Sequence, residues 1–257
     1  MNGRIPARIV RLAGTLLAAM VVGVAAAGSA SAETVYSNIP AKPIGNYLSV
    51  SFEATLTSQF GGEVELAGTA RSKPTVTVMM SSWACQTGSV DEQNCSTPKP
   101  RKTFKVPLTV RVYNAAELEE GPVAEIVKNV KMSYRPSASA KCAEGRWYDE
   151  ADEACYNGYS FPISVKIGKL KKMPKKAVIS VAYQASTPPS SLLNVAVGTP
   201  SQAPLSIGAQ PVEEWFVDST SSEMYCPGAK DVGTFGPEEG TGCQGENYQP
   251  LFTVNAN

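Results

Sequence analysis

Between Lys102 and Ala115 the chain alternates with period two. Phe104, Val106, Leu108, Val110 and Val112 fall on one side of an extended chain, and Thr103, Lys105, Thr109, Arg111 and Tyr113 on the other. Successive side chains of a strand point to opposite faces, so this pattern predicts a half-buried strand. Pro107 sits on the outward set, and its missing N–H predicts an edge or a bulge there.

Similar runs recur. Tyr47–Leu56 and Glu63–Gly68 are read as strands framing a Phe60-Gly61-Gly62 turn. Pro74–Trp83 places Val76, Val78 and Met80 inward, against Thr75, Thr77 and Met79. Val130, Met132 and Tyr134 alternate, as do Phe161, Ile163, Val165 and Ile167. In Ala177–Tyr183 both faces are apolar, which predicts a strand covered on both sides. Leu193, Val195 and Val197, then Glu213–Val217 and Pro250–Val254, complete the set. About ten strands with turn-rich gaps and no long helical period predict an all-β chain, a single antiparallel β-sandwich. Ala115–Glu120 is long enough for one helical turn. Ser186–Ser191 is read as a loop between two strands of one sheet rather than a linker.

The first residues do not fit this pattern. Arg4, Arg8 and Arg11 precede an uncharged stretch, Leu12–Ala27, of 16 residues. A spanning helix needs about 20 apolar residues, so the stretch is short for an anchor. It ends in Ala30-Ser31-Ala32, the small-x-small pattern of a signal-peptidase site. The expectation is a signal peptide over residues 1–32, cleavage after Ala32, and one secreted, extracellular domain over 33–257 with no membrane span.

Charge and cysteine content narrow the chemistry. The whole chain has 23 Lys+Arg and 23 Asp+Glu, and loss of the three leader arginines leaves an excess of three acids. Binding a phosphate backbone needs a basic surface, so nucleic acid is not an expected partner. All six cysteines follow the leader, and an even count in an exported chain predicts disulfides. Spacing favours neighbours: Cys85–Cys95, Cys142–Cys155 and Cys226–Cys243. There is no histidine. That excludes Ser-His-Asp and Cys-His nucleophilic catalysis and the usual zinc sites, and no cofactor is expected.

Chemistry-bearing side chains are densest between Cys142 and Tyr159. Arg146, Trp147, Tyr148, Asp149, Tyr156, Asn157 and Tyr159 combine aromatic rings with directional polar groups. Flat rings stack on the C–H faces of sugars while amides and charges bond the hydroxyls, so these seven are the candidate ligand-binding residues. Two other readings are weaker. Asp149, Glu150, Asp152 and Glu153 offer hard oxygen ligands of the kind calcium takes, but not at EF-hand spacing. A glycoside hydrolase would need two facing carboxylates. The candidates are Asp91-Glu92, Asp149–Glu153, Glu213-Glu214 and Glu238-Glu239. Lys169, Lys171, Lys172, Lys175 and Lys176 surround Met173-Pro174 and read as a solvated hairpin tip. Gly228–Gly245 lacks a phosphate-loop pattern and reads as a stapled surface loop.

Several strings occur together: Phe52-Glu53-Ala54-Thr55, Gly68-Thr69-Ala70-Arg71, Met80-Ser81-Ser82-Trp83-Ala84-Cys85, Tyr134-Arg135-Pro136-Ser137, Gly145-Arg146-Trp147-Tyr148-Asp149 and Cys155-Tyr156-Asn157-Gly158. In these the chain resembles a family of secreted actinobacterial-type β-sandwich proteins of unknown function. The resemblance implies an exported β protein and carries over no catalytic residue and no substrate. The reading that results is a secreted, non-catalytic binding or surface-interaction module for a glycan or a surface protein. A carboxylate-dependent glycoside hydrolase and a structural envelope protein are its rivals.

Overall fold

The computed structural model describes residues 32–168, 170–184, 189, 192, 193–198, 202, 204–211, 215–219, 234–237 and 248–257. The leader, Cys226, Cys243 and the acids Glu213, Glu214, Glu238 and Glu239 lie outside the described residues, as do Lys169 and most of Ser186–Ser191. In chain order the strands are β1 (Glu33–Ser37), β2 (Ser49–Ser51), β3 (Thr57–Glu65), β4 (Thr75–Ser82) and β5 (Thr103–Asn114). They continue with β6 (Ala124–Ser133), β7 (Trp147–Asp149), β8 (Ala154–Tyr156), β9 (Tyr159–Lys166) and β10 (Lys176–Ala182). The last are β11 (Leu193–Gly198), β12 (Trp215–Ser219), β13 (Gly236–Pro237), β14 (Gln249–Pro250) and β15 (Phe252–Ala256). A 3₁₀ turn over Ala115–Glu120, capped by the Asn114 side chain, joins β5 to β6 where the sequence allows one helical turn.

These strands form two antiparallel sheets that face each other as a sandwich, plus the small β7–β8 hairpin. The first sheet is built on β4. Along its whole length β4 pairs with β9; its other edge is shared by β15 at Thr75–Val78 and β11 at Met80–Ser82. The second sheet runs β13-β12-β3-β10-β5-β6. Val76, Val78 and Met80 from one sheet and Val106, Leu108, Val110, Val112 and Ile179 from the other form the shared core. Alternation placed those residues inward correctly, because one face of each strand has a sheet to pack on. Strands β4, β10 and β11 are covered on both faces. Val178 packs with Tyr113 and Phe216 behind the second sheet, and Met79 with Tyr47, Ala196 and Leu251 behind the first.

Three local expectations are corrected. Phe60-Gly61-Gly62 is not a turn; it lies within β3, paired to β10 on one side and β12 on the other. A Cβ on Gly61 would stand 2.8 Å from the Ile179 carbonyl oxygen, and one on Gly62 2.5 Å from Gln249 Oε1. These glycines allow close approach inside the sandwich. The turn falls earlier, at Phe52–Leu56, where the Thr57 amide donates to the Phe52 carbonyl, and the expected Tyr47–Leu56 strand shortens to β2. The Lys171–Lys176 segment is not a hairpin tip, because β9 and β10 belong to different sheets. Met173 is fully buried there and its amide donates to the Arg71 carbonyl, while Lys175 and Lys176 pair with Glu65. Ser186–Ser191 likewise joins strands of different sheets, β10 and β11. Pro107 is exposed and in register opposite Asn129, beyond the Thr109–Asn114 stretch paired to β10. There β5 has a neighbour on one side only, which accommodates the missing donor without a bulge.

Two of the three expected disulfides, Cys85–Cys95 and Cys142–Cys155, are present. The loops they close meet around Arg135. This side chain is fully buried, donating from Nη2 to the Gly145 carbonyl at 2.8 Å and from Nε to the Pro136 carbonyl at 3.2 Å. Its own carbonyl accepts from Thr97 Oγ1 at 2.7 Å, just past Cys95. The Ala138 amide bonds the Cys95 carbonyl, and Ser139 bonds Arg146. One buried guanidinium thus sits at the seam of both stapled loops, and burial lowers its pKa to about 10.

Candidate functional site

Both stapled loops lie at the end of the sandwich where β4 finishes. The Ser81 and Ser160 hydroxyls, on paired positions of β4 and β9, both donate to Asn46 Oδ1, at 2.7 and 3.0 Å. The Tyr47 amide donates to Ser160 Oγ and the Ser160 amide to the Gly45 carbonyl, both at 3.0 Å. These bonds lace a Pro- and Gly-rich strap, residues 40–48, across the strand ends. Its far side is tied to β11 by the Val197 amide, which donates to the Leu48 carbonyl at 2.9 Å.

The strap also closes over the β7–β8 hairpin. The Gly45 amide donates to Asp152 Oδ2 at 2.7 Å, and the same oxygen accepts from the Tyr156 hydroxyl at 3.1 Å. Behind Gly45 stand Trp147 and Tyr156, whose ring centroids are 5.5 Å apart. A Cβ on Gly45 would lie 2.7 Å from a carbon of each ring and 2.6 Å from Asp149 Oδ2. Only glycine lets the strap sit this close. Trp147 is buried, and its indole N–H donates to the Gly158 carbonyl at 2.6 Å. Burial, the hydrogen bond to Asp152 and the charges of Asp152 and Asp149 push the Tyr156 phenol up to about 12. The Tyr47 phenol is also raised, chiefly by burial, with the Asp152 charge adding to it and the Ile44 amide opposing it.

Between strap and hairpin lies an open concavity of about 630 Å³. Arg146, Tyr156 and Asn157 reach it from the hairpin; Lys42, Asn46 and Leu48 from the strap; and Trp83 forms part of its wall. Trp83 follows β4 directly and is half-buried. Its N–H edge is tucked in, 2.6 Å from where a Gly158 Cβ would stand, and makes no hydrogen bond. The same tryptophan lines a second concavity of about 410 Å³, with Ser49, Ser51, Glu53, Leu192 and Asn194. Trp83 and Ser49 therefore join two hollows along one surface.

The seven residues nominated from sequence divide into two groups. Arg146, Tyr156 and Asn157 line the larger concavity. Trp147, Tyr148, Asp149 and Tyr159 do not. Trp147 packs behind Tyr156 and edge-on to Tyr159. Lys141 covers the Tyr148 ring, 4.3 Å from its centroid, and pairs with Glu150. Asp149 Oδ1 accepts from the Ala151 amide, an ordinary turn contact. Two of the acids nominated for calcium are engaged separately, Asp152 with the strap and Glu150 with Lys141, and Glu153 occupies a left-handed turn position with φ of 52°. Among the described residues no three His, Cys, Asp or Glu side chains converge as a metal site. Comparison of the chain with protein-family models, with curated proteins and with solved structures finds no match. Among the described residues no helix is long and apolar enough to cross a membrane.

Trp83, Lys42 and Asn46 were not nominated from sequence. Trp83 closes a clear alternating run and reads there as a strand residue, and the Pro40–Asn46 stretch lies ahead of the first alternating run with no periodic pattern of its own. The missing information was long-range: the strap meets the hairpin across more than a hundred residues.

Proposed function

We propose that this protein is an exported, non-catalytic binding module whose ligand is a saccharide held in the concavity beside Trp83. The observation that carries the reading is the composition of that wall. It combines a partly open indole and the Tyr156 ring with the side-chain amides of Asn46 and Asn157, all on a surface fixed by a disulfide and by the laced strap. Sugars present apolar C–H faces and fixed hydroxyls, so rings and amides together suit them. Ligand sites of this kind are largely preformed. Binding is favoured over hydrolysis because, among the described residues, no carboxylate lines the larger concavity, whereas glycoside cleavage uses an opposed pair. The disulfides and the resemblance of the chain to secreted β-sandwich proteins support an extracellular setting.

A glycan array probed with the purified protein tests the reading. Retention of specific oligosaccharides by the native chain, weakened about 10-fold or more in Asn157→Ala with its melting temperature unchanged, supports it. An array on which native protein and Asn157→Ala give the same signals contradicts it.

A further inference from the structure

We propose that the saccharide is acidic, a chain whose sugar units carry a carboxylate, sulfate or phosphate. This rests on the saccharide-binding reading and adds its charge. Among the described residues two cations, Lys42 on the strap and Arg146 on the hairpin, line the larger concavity, and no carboxylate joins them there. Lys42 is exposed and has no ion pair among the described residues. Arg146 is anchored by its Nε, which donates to the Ala143 carbonyl at 3.2 Å. Its nearest acid, Glu144, stands 3.7 Å from Nη2 and is itself largely exposed. Two acids stand behind the strap and outside the lining: Asp152, which accepts from the Gly45 amide and the Tyr156 hydroxyl, and Asp149, which accepts from the Ala151 amide. This local excess of cations contrasts with a chain whose basic and acidic residues are equal in number. An incoming anion would therefore meet one cation without an ion pair, Lys42, and a second, Arg146, whose pair with Glu144 is long and exposed, beside a ring on which its sugar can stack. A planar guanidinium held by its Nε can still offer its outer N–H groups to a carboxylate or phosphate.

The test uses the full protein and one sugar backbone in two charge states: a galacturonate oligosaccharide and its fully methyl-esterified form. Calorimetric titration should show the acid binding about 10-fold tighter than the ester. That preference should shrink as salt is raised from about 0.05 to about 0.5 M, since screening shortens over that range. Lys42→Gln, a change on an exposed strap side chain, and Arg146→Gln should each reduce the preference, weakening binding of the acid more than binding of the ester. A sulfated galactan oligosaccharide and a glycerol-phosphate polymer, run beside them, distinguish which anion is read. Equal affinities for acid and ester would overturn the charge assignment and leave the saccharide reading standing. Binding of none of these and of no array sugar would overturn both. Inorganic phosphate binding as tightly as the oligosaccharides would show a plain anion site and overturn the saccharide reading.

Discussion

The Gly45 amide and the Asp152 carboxylate, 107 positions apart in the chain, meet at 2.7 Å. This bond fixes the strap against the hairpin and so sets the width of the concavity. A hydrogen bond to a charged group contributes about 1.5–3 kcal/mol. Asp152→Ala is therefore expected to lose about 2 kcal/mol of stability in urea titrations, with Asp152→Asn milder because it keeps an acceptor. Gly45→Val should be worse than either, since its Cβ would overlap both rings. An unchanged unfolding midpoint in Asp152→Ala would show that the strap is held without this bond.

The two disulfides should differ in function more than in stability. They close loops of sequence separation 10 and 13, and a loop of about 15 residues is worth roughly 3 kcal/mol in the chain-entropy model. Replacing either pair by alanines should lower the melting temperature to a similar degree. Only Cys142→Ala/Cys155→Ala should also weaken ligand binding, because Arg146, Tyr156 and Asn157 lie in or next to that loop. Equal binding losses in both double variants would refute the distinction.

Arg135 should behave as a structural pin. Removing it leaves the Gly145 and Pro136 carbonyls without its donors and opens a hole between the stapled loops. Arg135→Ala is expected to cost about 3 kcal/mol. Faster hydrogen exchange should be confined to the 85–99 and 135–147 segments. Uniformly faster exchange across both sheets would instead place Arg135 in the global core.

Alkaline pH should destabilise the fold. Burial raises the phenols of Tyr36, Tyr47 and Tyr156 above 10, so above that pH the folded chain keeps protons that the unfolded chain releases. Their contribution is complete below pH 10 and is lost as pH rises through the folded values. Arg135 acts in the opposite sense. Its folded value of about 10 lies below the ordinary 12.5, so its buried charge is relieved over the same range. Three phenols outweigh one guanidinium, and the melting temperature should fall between about pH 10 and about pH 12. Tyr156→Phe should flatten the decline. A flat or rising curve for the native chain would contradict this balance.

The sandwich was legible because its strands alternate: Phe104–Val112 and Val76–Met80 each needed only a period of two to be placed. Gly61 and Gly62 misled, since glycine marks turns and close approaches alike, and only the partners Ile179 and Gln249 distinguish them. The hairpin cluster was visible as a local density of rings and charges. Which of those rings face outward was not. Trp147 and Tyr156 are equivalent in sequence, and it is the strap at Gly45, far away in the chain, that buries one behind the other. Trp83 was hidden for the same reason, its role depending on Gly158 and Ser49 rather than on its own neighbours.

The most direct test of the account is where a bound saccharide is felt. With the indole rings labelled and assigned, saturating oligosaccharide should shift the Trp83 ring-carbon and ring-proton resonances strongly and leave those of Trp147, buried and bonded to Gly158, nearly unmoved. A strong shift at Trp147 with Trp83 unchanged would contradict the assignment of the site.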